Sequence, residues 1–256
     1  MRGASRTLLV LGISLLLTAC GRKGALIYPD MLVPAAPADV SARQSGSDVL
    51  LQFAISDKDR TGRPLQGVTG VKINRRARPS GQQEVCRACV ADFTPFRTLY
   101  LDSLPLVGQR SGNTLVLRDS EVKEGTAYAY MAVLFTVDGS EGAASPPVEV
   151  RVAAPHPAPV MTAESLPAEV VLHMSAQPVP PARFLGFNLY RSVAGGVRSF
   201  LPLNREPLTG NVYIDTTLER GMTYRFRARA VVVSAAGDVL ESLESQEREG
   251  MLKDGE

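Results

Sequence analysis

The chain has 256 residues, of which 45% are hydrophobic and 21% are charged, and these proportions exclude a disordered protein and predict one or two globular domains. Its three cysteines are too few for a disulfide-dense scaffold, and its two histidines leave little room for a metal site or imidazole catalysis. The formal net charge of +2 gives no electrostatic reason to expect nucleic acid as a partner. We therefore expect no cofactor, no metal and no enzymatic activity.

Residues 1–19 have the pattern of a secretory signal peptide. Arg2 and Arg6 precede the apolar run 8–19, which is well short of the roughly 20 residues that a bilayer-spanning helix needs. Cleavage before Cys20 would remove both arginines and leave the mature chain without net charge.

The sequence Leu-Thr-Ala-Cys at 17–20 resembles the lipobox of bacterial lipoproteins, in which a small residue precedes a cysteine that receives lipid. The resemblance implies that Cys20 is the lipidated N-terminus, carrying palmitate, and that residues 20–37 form a membrane tether. Gly21 implies sorting to the cell outer membrane, on its periplasmic or its outer side. The alternative is an ordinary secretory signal that happens to be followed by a cysteine.

Residues 21–29 resemble the opening of a small lipoprotein that helps mature the lipopolysaccharide translocon, with Ala25 where proline is expected. Next to a membrane, Arg22 and Lys23 could meet anionic lipid or the acidic rim of a partner. The alternative is a flexible tether without a contact of its own.

Two segments rich in proline and alanine, 31–37 and 153–159, divide the mature chain into two blocks. Because proline fixes φ and lacks an amide donor, both segments are predicted to be extended linkers. The two blocks repeat each other. Three residues of the first block recur 96 positions later in the second: Asp119, Gly125 and Tyr128 correspond to Asp215, Gly221 and Tyr224.

The hydrophobic period within the blocks is two. Residues 224–230 alternate apolar and charged side chains without a break, which places one set on a buried sheet face. Residues 49–53 and 70–75 correspond to 170–174 and 186–191 and are predicted to be strands. Short strands in blocks of about 100 residues predict an all-β chain of two antiparallel sandwiches.

The turns Gly-Thr-Ala-Tyr at 125–128 and Gly-Met-Thr-Tyr at 221–224 resemble the start of strand F in fibronectin type III domains, an immunoglobulin-like sandwich. The resemblance implies that each tyrosine is a corner residue whose hydroxyl bonds back to the chain. Neither block has the usual strand-B tryptophan, so another immunoglobulin-like sandwich stays open. The implied divisions are 38–153 for the first domain, 154–159 for a linker, 160–248 for the second domain and 249–256 for a polar tail, with 245–256 expected to fray.

Cys86 and Cys89 form a Cys-x-x-Cys pair inside an insertion of the first block. Such a pair can be a redox dithiol, half of a zinc site, a haem attachment or a small disulfide loop. Val90 stands where haem attachment requires histidine, and the histidines lie too far away in sequence to complete a zinc site. We favour a disulfide because an exported chain meets an oxidising compartment.

The two predicted F strands differ on their outward faces. The second block places Arg225, Arg227 and Arg229 there, which predicts a solvated face or a groove for an anionic glycan. The first block has Ala129, Met131 and Val133 at the same positions, followed by Phe135. This apolar strip is predicted to be covered either by the inserted segment or by a protein partner.

The motifs of common enzymes are missing from the sequence, including the nucleophile elbow, the phosphate-binding loop and the zinc-protease signature. We therefore expect a membrane-anchored envelope lipoprotein that acts as a non-catalytic interaction or scaffold module for an envelope protein. The alternative is binding of an anionic glycan or lipopolysaccharide, as an accessory to outer-membrane assembly.

Overall fold

The computed structural model describes residues 31–82, 92–177 and 179–253, and its fold is all-β. Strands are numbered in chain order. They are β1 Ala38–Ser45, β2 Asp48–Ala54, β3 Val68–Pro79, β4 Thr94–Tyr100, β5 Gly108–Ser111, β6 Thr114–Asp119, β7 Thr126–Thr136, β8 Glu141–Ala144, β9 Val148–Val152, β10 Val160–Ser165, β11 Val170–Ser175, β12 Arg183–Val193, β13 Val212–Asp215, β14 Tyr224–Val233, β15 Val239–Glu241 and β16 Arg248–Gly250.

The strands form three sheets. The largest has eight strands in the order β12-β14-β15-β1-β2-β6-β5, with β16 paired to β14. A five-stranded sheet has the order β4-β3-β7-β8, with β9 paired to β7, and a three-stranded sheet has the order β10-β11-β13. The predicted strands at 49–53, 70–75, 170–174 and 186–191 lie within β2, β3, β11 and β12, so the period-two pattern located them correctly.

Two separate hydrophobic cores lie between these sheets. The N-terminal core joins the eight-stranded sheet to the five-stranded one and includes Phe53, Ile73 and Tyr130. The C-terminal core joins the eight-stranded sheet to the three-stranded one and includes Leu172 and Phe226. Alternate residues of each strand enter a core because successive side chains of a strand point to opposite faces.

Both predicted tyrosine corners are present. The hydroxyl of Tyr128 accepts a hydrogen bond of 3.0 Å from the amide of Lys123, and that of Tyr224 accepts one of 3.1 Å from the amide of Glu219. In each case the partner lies five residues upstream, and a glycine with positive φ, such as Gly125 at 75°, makes the intervening turn. The repeat identified in the sequence therefore has the same local geometry in both halves.

Two predictions about the ends of the chain were wrong. The segment before β1 is not a free linker as far back as residue 33: the amide of Ala35 donates to Lys58 O, and the amide of Ala143 donates to Pro34 O. The C-terminal segment does not fray through residue 253, because β16 pairs with β14 and Leu252 is buried in the C-terminal core. Backbone hydrogen bonds hold the first segment, and strand pairing with apolar burial holds the second, where composition alone indicated tether and tail.

The two halves share one sheet. Strand β1 of the N-terminal half lies parallel to β15 of the C-terminal half, with Ser45 opposite Glu241. The amide of Gly46 extends this pairing by donating to Glu241 O at 3.0 Å. Backbone hydrogen bonding therefore runs across the joint without interruption.

Among the described residues, no helix has the length and hydropathy needed to cross a membrane.

Candidate functional site

The joint between the halves brings together buried polar and charged side chains, and we call it the seam. It lies on the face of the shared sheet that points away from both cores. The loop between β12 and β13 crosses this face: the amide of Phe200 donates to Gln109 Oε1 at 2.7 Å, and the Arg118 guanidinium lies 5.2 Å from the Phe200 ring centroid. The loop of one half thereby rests on strands of the other.

A buried carboxylate stands at the centre of the seam. Glu241 is 1% exposed, and it accepts hydrogen bonds from Ser45 Oγ at 2.5 Å, Tyr190 OH at 2.5 Å and Asn188 Nδ2 at 2.6 Å. Arg43 Nε lies 3.8 Å from the same carboxylate and supplies the opposite charge. The ordinary cost of burying a carboxylate is offset because the charge is both paired and hydrogen-bonded.

The buried cluster shifts the pKa values of Glu241 and Tyr190. Burial alone raises the pKa of Glu241, but the charge of Arg43 and the hydrogen bonds from Ser45, Tyr190 and Asn188 outweigh it, so the pKa lies below its ordinary value. Burial, followed by the neighbouring Glu241 charge, raises the pKa of Tyr190. At neutral pH the pair is therefore a carboxylate and a neutral phenol, which donates the hydrogen bond.

A cavity of about 90 Å³ adjoins this cluster. Four arginines line it, one from the N-terminal half and three from the C-terminal half, and so do two carboxylates, which leaves two positive charges in excess. These charged residues are Arg118, Arg198, Arg227, Arg229, Asp48 and Glu244.

Arg227 is the most enclosed of the four arginines, at 3% exposed. Its Nη1 donates to Glu244 Oε1 at 2.9 Å. Its Nε and Nη2 are buried without a hydrogen-bond partner within the described part of the chain, and Glu247 Oε2 lies 3.9 Å from Nε, too far for a hydrogen bond. Burial lowers the pKa of Arg227, against the charge of Glu244.

The predicted solvated arginine row was therefore wrong at its centre. Arg225 is partly exposed and pairs with Glu249 at 3.2 Å, but Arg227 is buried, and Arg229 donates to Ser242 O at 2.7 Å. Alternation correctly placed the three side chains on one face. It could not show that the segment after β15, which carries Glu244, folds over that face.

The predicted apolar strip on β7 is buried. Ala129, Met131 and Val133 are all buried, Met131 at 4%. Phe135 continues the strip, and its ring packs edge-on against Tyr100 with a centroid distance of 5.6 Å. This strip does not offer a surface to a partner within the described structure.

A third polar feature recurs in both halves and is structural. Arg75 Nη1 bonds to Asp119 Oδ2 at 2.7 Å, and Arg191 Nη1 bonds to Asp215 Oδ2 at the same distance. Each arginine also lies over the ring of its corner tyrosine, with Arg75 5.3 Å from Tyr128. The sequence repeat aligned both arginines and both aspartates, but pairing between distant strands could not be read from it.

Three predicted site residues, Cys20, Cys86 and Cys89, lie outside the described residues. Over residues 31–82, 92–177 and 179–253, no group of three or more histidine, cysteine, aspartate or glutamate side chains could hold a metal ion.

Comparison with known proteins gives a structural likeness only. No protein-family profile matches the sequence, and a search of curated proteins returned no match. Among solved structures, the crystal structure of chicken CNTN1 FN1-FN3 domains is similar over 85% of this chain, with 13% sequence identity and a TM-score of 0.32. The aligned part spans 64% of that chain, and we draw no functional conclusion from a similarity of this size.

Proposed function

We propose that this chain is a bacterial envelope lipoprotein, anchored to the outer membrane through Cys20, that serves as a non-catalytic scaffold for a protein partner. In this proposal residues 38–153 and 160–248 are tandem fibronectin type III-like modules. Cys86 and Cys89 close the inserted loop as a disulfide, because export delivers the chain to an oxidising compartment.

The observation that carries the proposal is the shared sheet. Strand pairing between β1 and β15, together with the buried Glu241 cluster, fixes the two halves in one orientation. A fixed joint supports a scaffold because a preorganised surface loses little conformational entropy when a partner binds. A membrane tether adds to this by raising the effective concentration at the surface.

The outer face of the three-stranded sheet supports partner contact. Val212 is 44% exposed and Ile214 is 51% exposed, and both lie on β13, the last strand of that sheet. Ile214 stands directly opposite Val171 of β11, so apolar β-branched side chains adjoin a strand edge that has no partner strand among the described residues. Natural edge strands usually carry charges or proline, and an apolar edge favours pairing with a partner.

Anchoring is tested by expressing the full chain with its leader beside the Cys20→Ser variant. We expect fatty acid on the N-terminal peptide by mass spectrometry and recovery of the protein with outer membranes. The variant should lose the lipid and move to the soluble fraction. A native chain without lipid would overturn the anchor.

Partner contact is tested by a photo-crosslinking amino acid placed at Ile214 in intact envelopes. The matched control is the same amino acid at Val137, which is 81% exposed in the turn after β7. We expect a discrete adduct from position 214 that is absent from position 137. No adduct at 214, or equal labelling at both positions, would overturn this face as the contact surface.

Binding of an anionic glycan or lipopolysaccharide is the second candidate, and the arginine-lined cavity favours it. Because Arg227 is enclosed, the three arginines of β14 do not form one open groove. A compact charged group on such a ligand fits the cavity that Arg227 and Arg229 line.

A further inference from the structure

We infer that the seam cavity is a binding site for a single tetrahedral oxyanion, of the size and charge of phosphate, held between the two halves by Arg118, Arg227 and Arg229. The inference deepens the second candidate function by naming the group recognised, and it does not depend on the scaffold role.

The size of the cavity favours a small charged group as the ligand. A volume of about 90 Å³ is smaller than the roughly 150 Å³ of an engineered protein cavity that binds one benzene molecule. That space accommodates one phosphate group. The ligand is therefore an inorganic anion or the terminal phosphate of a larger molecule whose remainder stays outside.

The charged residues that line the cavity favour an anionic ligand. The cavity lining carries four guanidinium groups against two carboxylates. Planar guanidinium groups present parallel N–H donors that match the oxygen spacing of phosphate. In a partly enclosed site the excess positive charge is screened by water less than it would be on an open surface.

Unused donors point to the same ligand. Arg227 Nε and Nη2 and Arg118 Nε are buried without a hydrogen-bond partner among the described residues. Buried charged donors normally have partners, so orphaned ones call for an acceptor. Arg118 belongs to β6 and Arg227 to β14, and thus an oxyanion between them would receive hydrogen bonds from both halves.

The neighbouring ion pairs leave the site available. Glu244 occupies Nη1 of Arg227 and lies 3.5 Å from Arg229 Nη2. Arg198 pairs with the other oxygen of Glu244 at 3.3 Å. These contacts fix the arginine heads from one side and leave Arg227 Nη2 uncommitted. Glu247 Oε2 lies 3.9 Å from Arg227 Nε, and Asp48 Oδ2 lies 4.0 Å from Arg118 Nε, both beyond hydrogen-bond distance.

The experiment is isothermal titration of the full chain with inorganic phosphate, with potassium chloride holding the ionic strength constant. We expect saturable one-to-one binding. Arg118→Gln should weaken it about tenfold, since a hydrogen bond to a charged group contributes about 1.5 kcal/mol or more. Arg227→Met should abolish it, and if that variant fails to fold, Arg118→Gln decides.

Arg225→Gln is the matched control. It removes the same charge from the same face of β14, two residues from Arg227, at a position that does not line the cavity. Its phosphate affinity should stay within twofold of the wild type. Equal weakening in Arg225→Gln and Arg118→Gln, or no saturable binding by the wild type, would overturn the site.

Glycerol phosphate distinguishes the two sources of the anion. If it binds as inorganic phosphate does, the site recognises a phosphate monoester, as on a lipid or glycan. If only inorganic phosphate binds, the ligand is the free ion, and the anionic-glycan function is overturned while the oxyanion site is supported.

Discussion

Ser45 Oγ donates a hydrogen bond of 2.5 Å to the carboxylate of Glu241, although the two residues are 196 positions apart in the chain. This bond lies where β1 meets β15, at the only parallel pairing between named strands in the described structure. It couples the backbone joint to a buried charge. The energetics of that charge therefore determine how firmly the two halves are held together.

Glu241→Ala should destabilise the chain by about 3 kcal/mol, because it leaves the charge of Arg43 and the polar groups of Ser45, Tyr190 and Asn188 without their acceptor in a buried site. Urea unfolding of both proteins measures the change. Glu249→Ala, which removes a solvent-exposed carboxylate from β16, should cost about 0.5 kcal/mol or less. Equal losses would show that the seam charge has no special role.

The stabilisation of the fold by Glu241 should be lost at acidic pH. Because its folded pKa lies below the ordinary value of 4.5, the carboxylate stabilises the fold fully above that value, and this stabilisation declines as pH falls toward the folded pKa. The stability advantage of the wild type over Glu241→Gln should therefore be constant from pH 7 to about pH 5 and shrink below it. Urea unfolding across this range checks the sign, and an advantage that grows in acid would contradict it.

Removing the corner hydroxyls should weaken each half by a similar amount. Tyr128→Phe and Tyr224→Phe delete the acceptors of the Lys123 and Glu219 amides, and each should lower the free energy of unfolding by about 1 kcal/mol. Tyr100→Phe is the control, since that ring is mostly exposed and keeps its contact with Phe135. A loss in Tyr100→Phe as large as in the corner variants would argue against a specific corner role.

Gly142→Ala should release the segment before β1. A Cβ at position 142 would lie 2.3 Å from Pro34 O, so the backbone of Pro34 must move and the bond from the Ala35 amide to Lys58 O should break. Hydrogen exchange at the Ala35 amide should accelerate at least tenfold by mass spectrometry. Gly210→Ala, where an added Cβ meets nothing within 4 Å, should leave that exchange unchanged.

The sequence was most informative where the partners lie close along the chain. A tyrosine corner joins residues five positions apart, and a glycine with positive φ makes the turn. Because this short motif occurs in both halves of the sequence, it was enough to locate Tyr128 and Tyr224. Strands were located for the same reason, because the period-two pattern is a property of each segment alone. Asp119 and Asp215 were found as repeat partners, whereas their ion pairs with Arg75 and Arg191 were not.

The sequence was least informative about outward faces. Alternation separates two sides of a strand but does not show what packs on the second side, and Arg227 was therefore predicted to be more exposed than it is. Its burial depends on the segment after β15, which carries Glu244. Because Arg227 is buried, its guanidinium is enclosed, and two of its nitrogens have no hydrogen-bond partner among the described residues.

By itself, then, the amino-acid order determined an all-β chain of two related halves, since side-chain alternation and turn chemistry act over a few residues. Tertiary structure alone decided that β1 and β15 join those halves in one sheet, and that Glu241 and the arginines meet beside it. The physical reason is that pairing across the joint is selected by the summed burial and hydrogen bonding of segments nearly 200 residues apart, which no local pattern encodes.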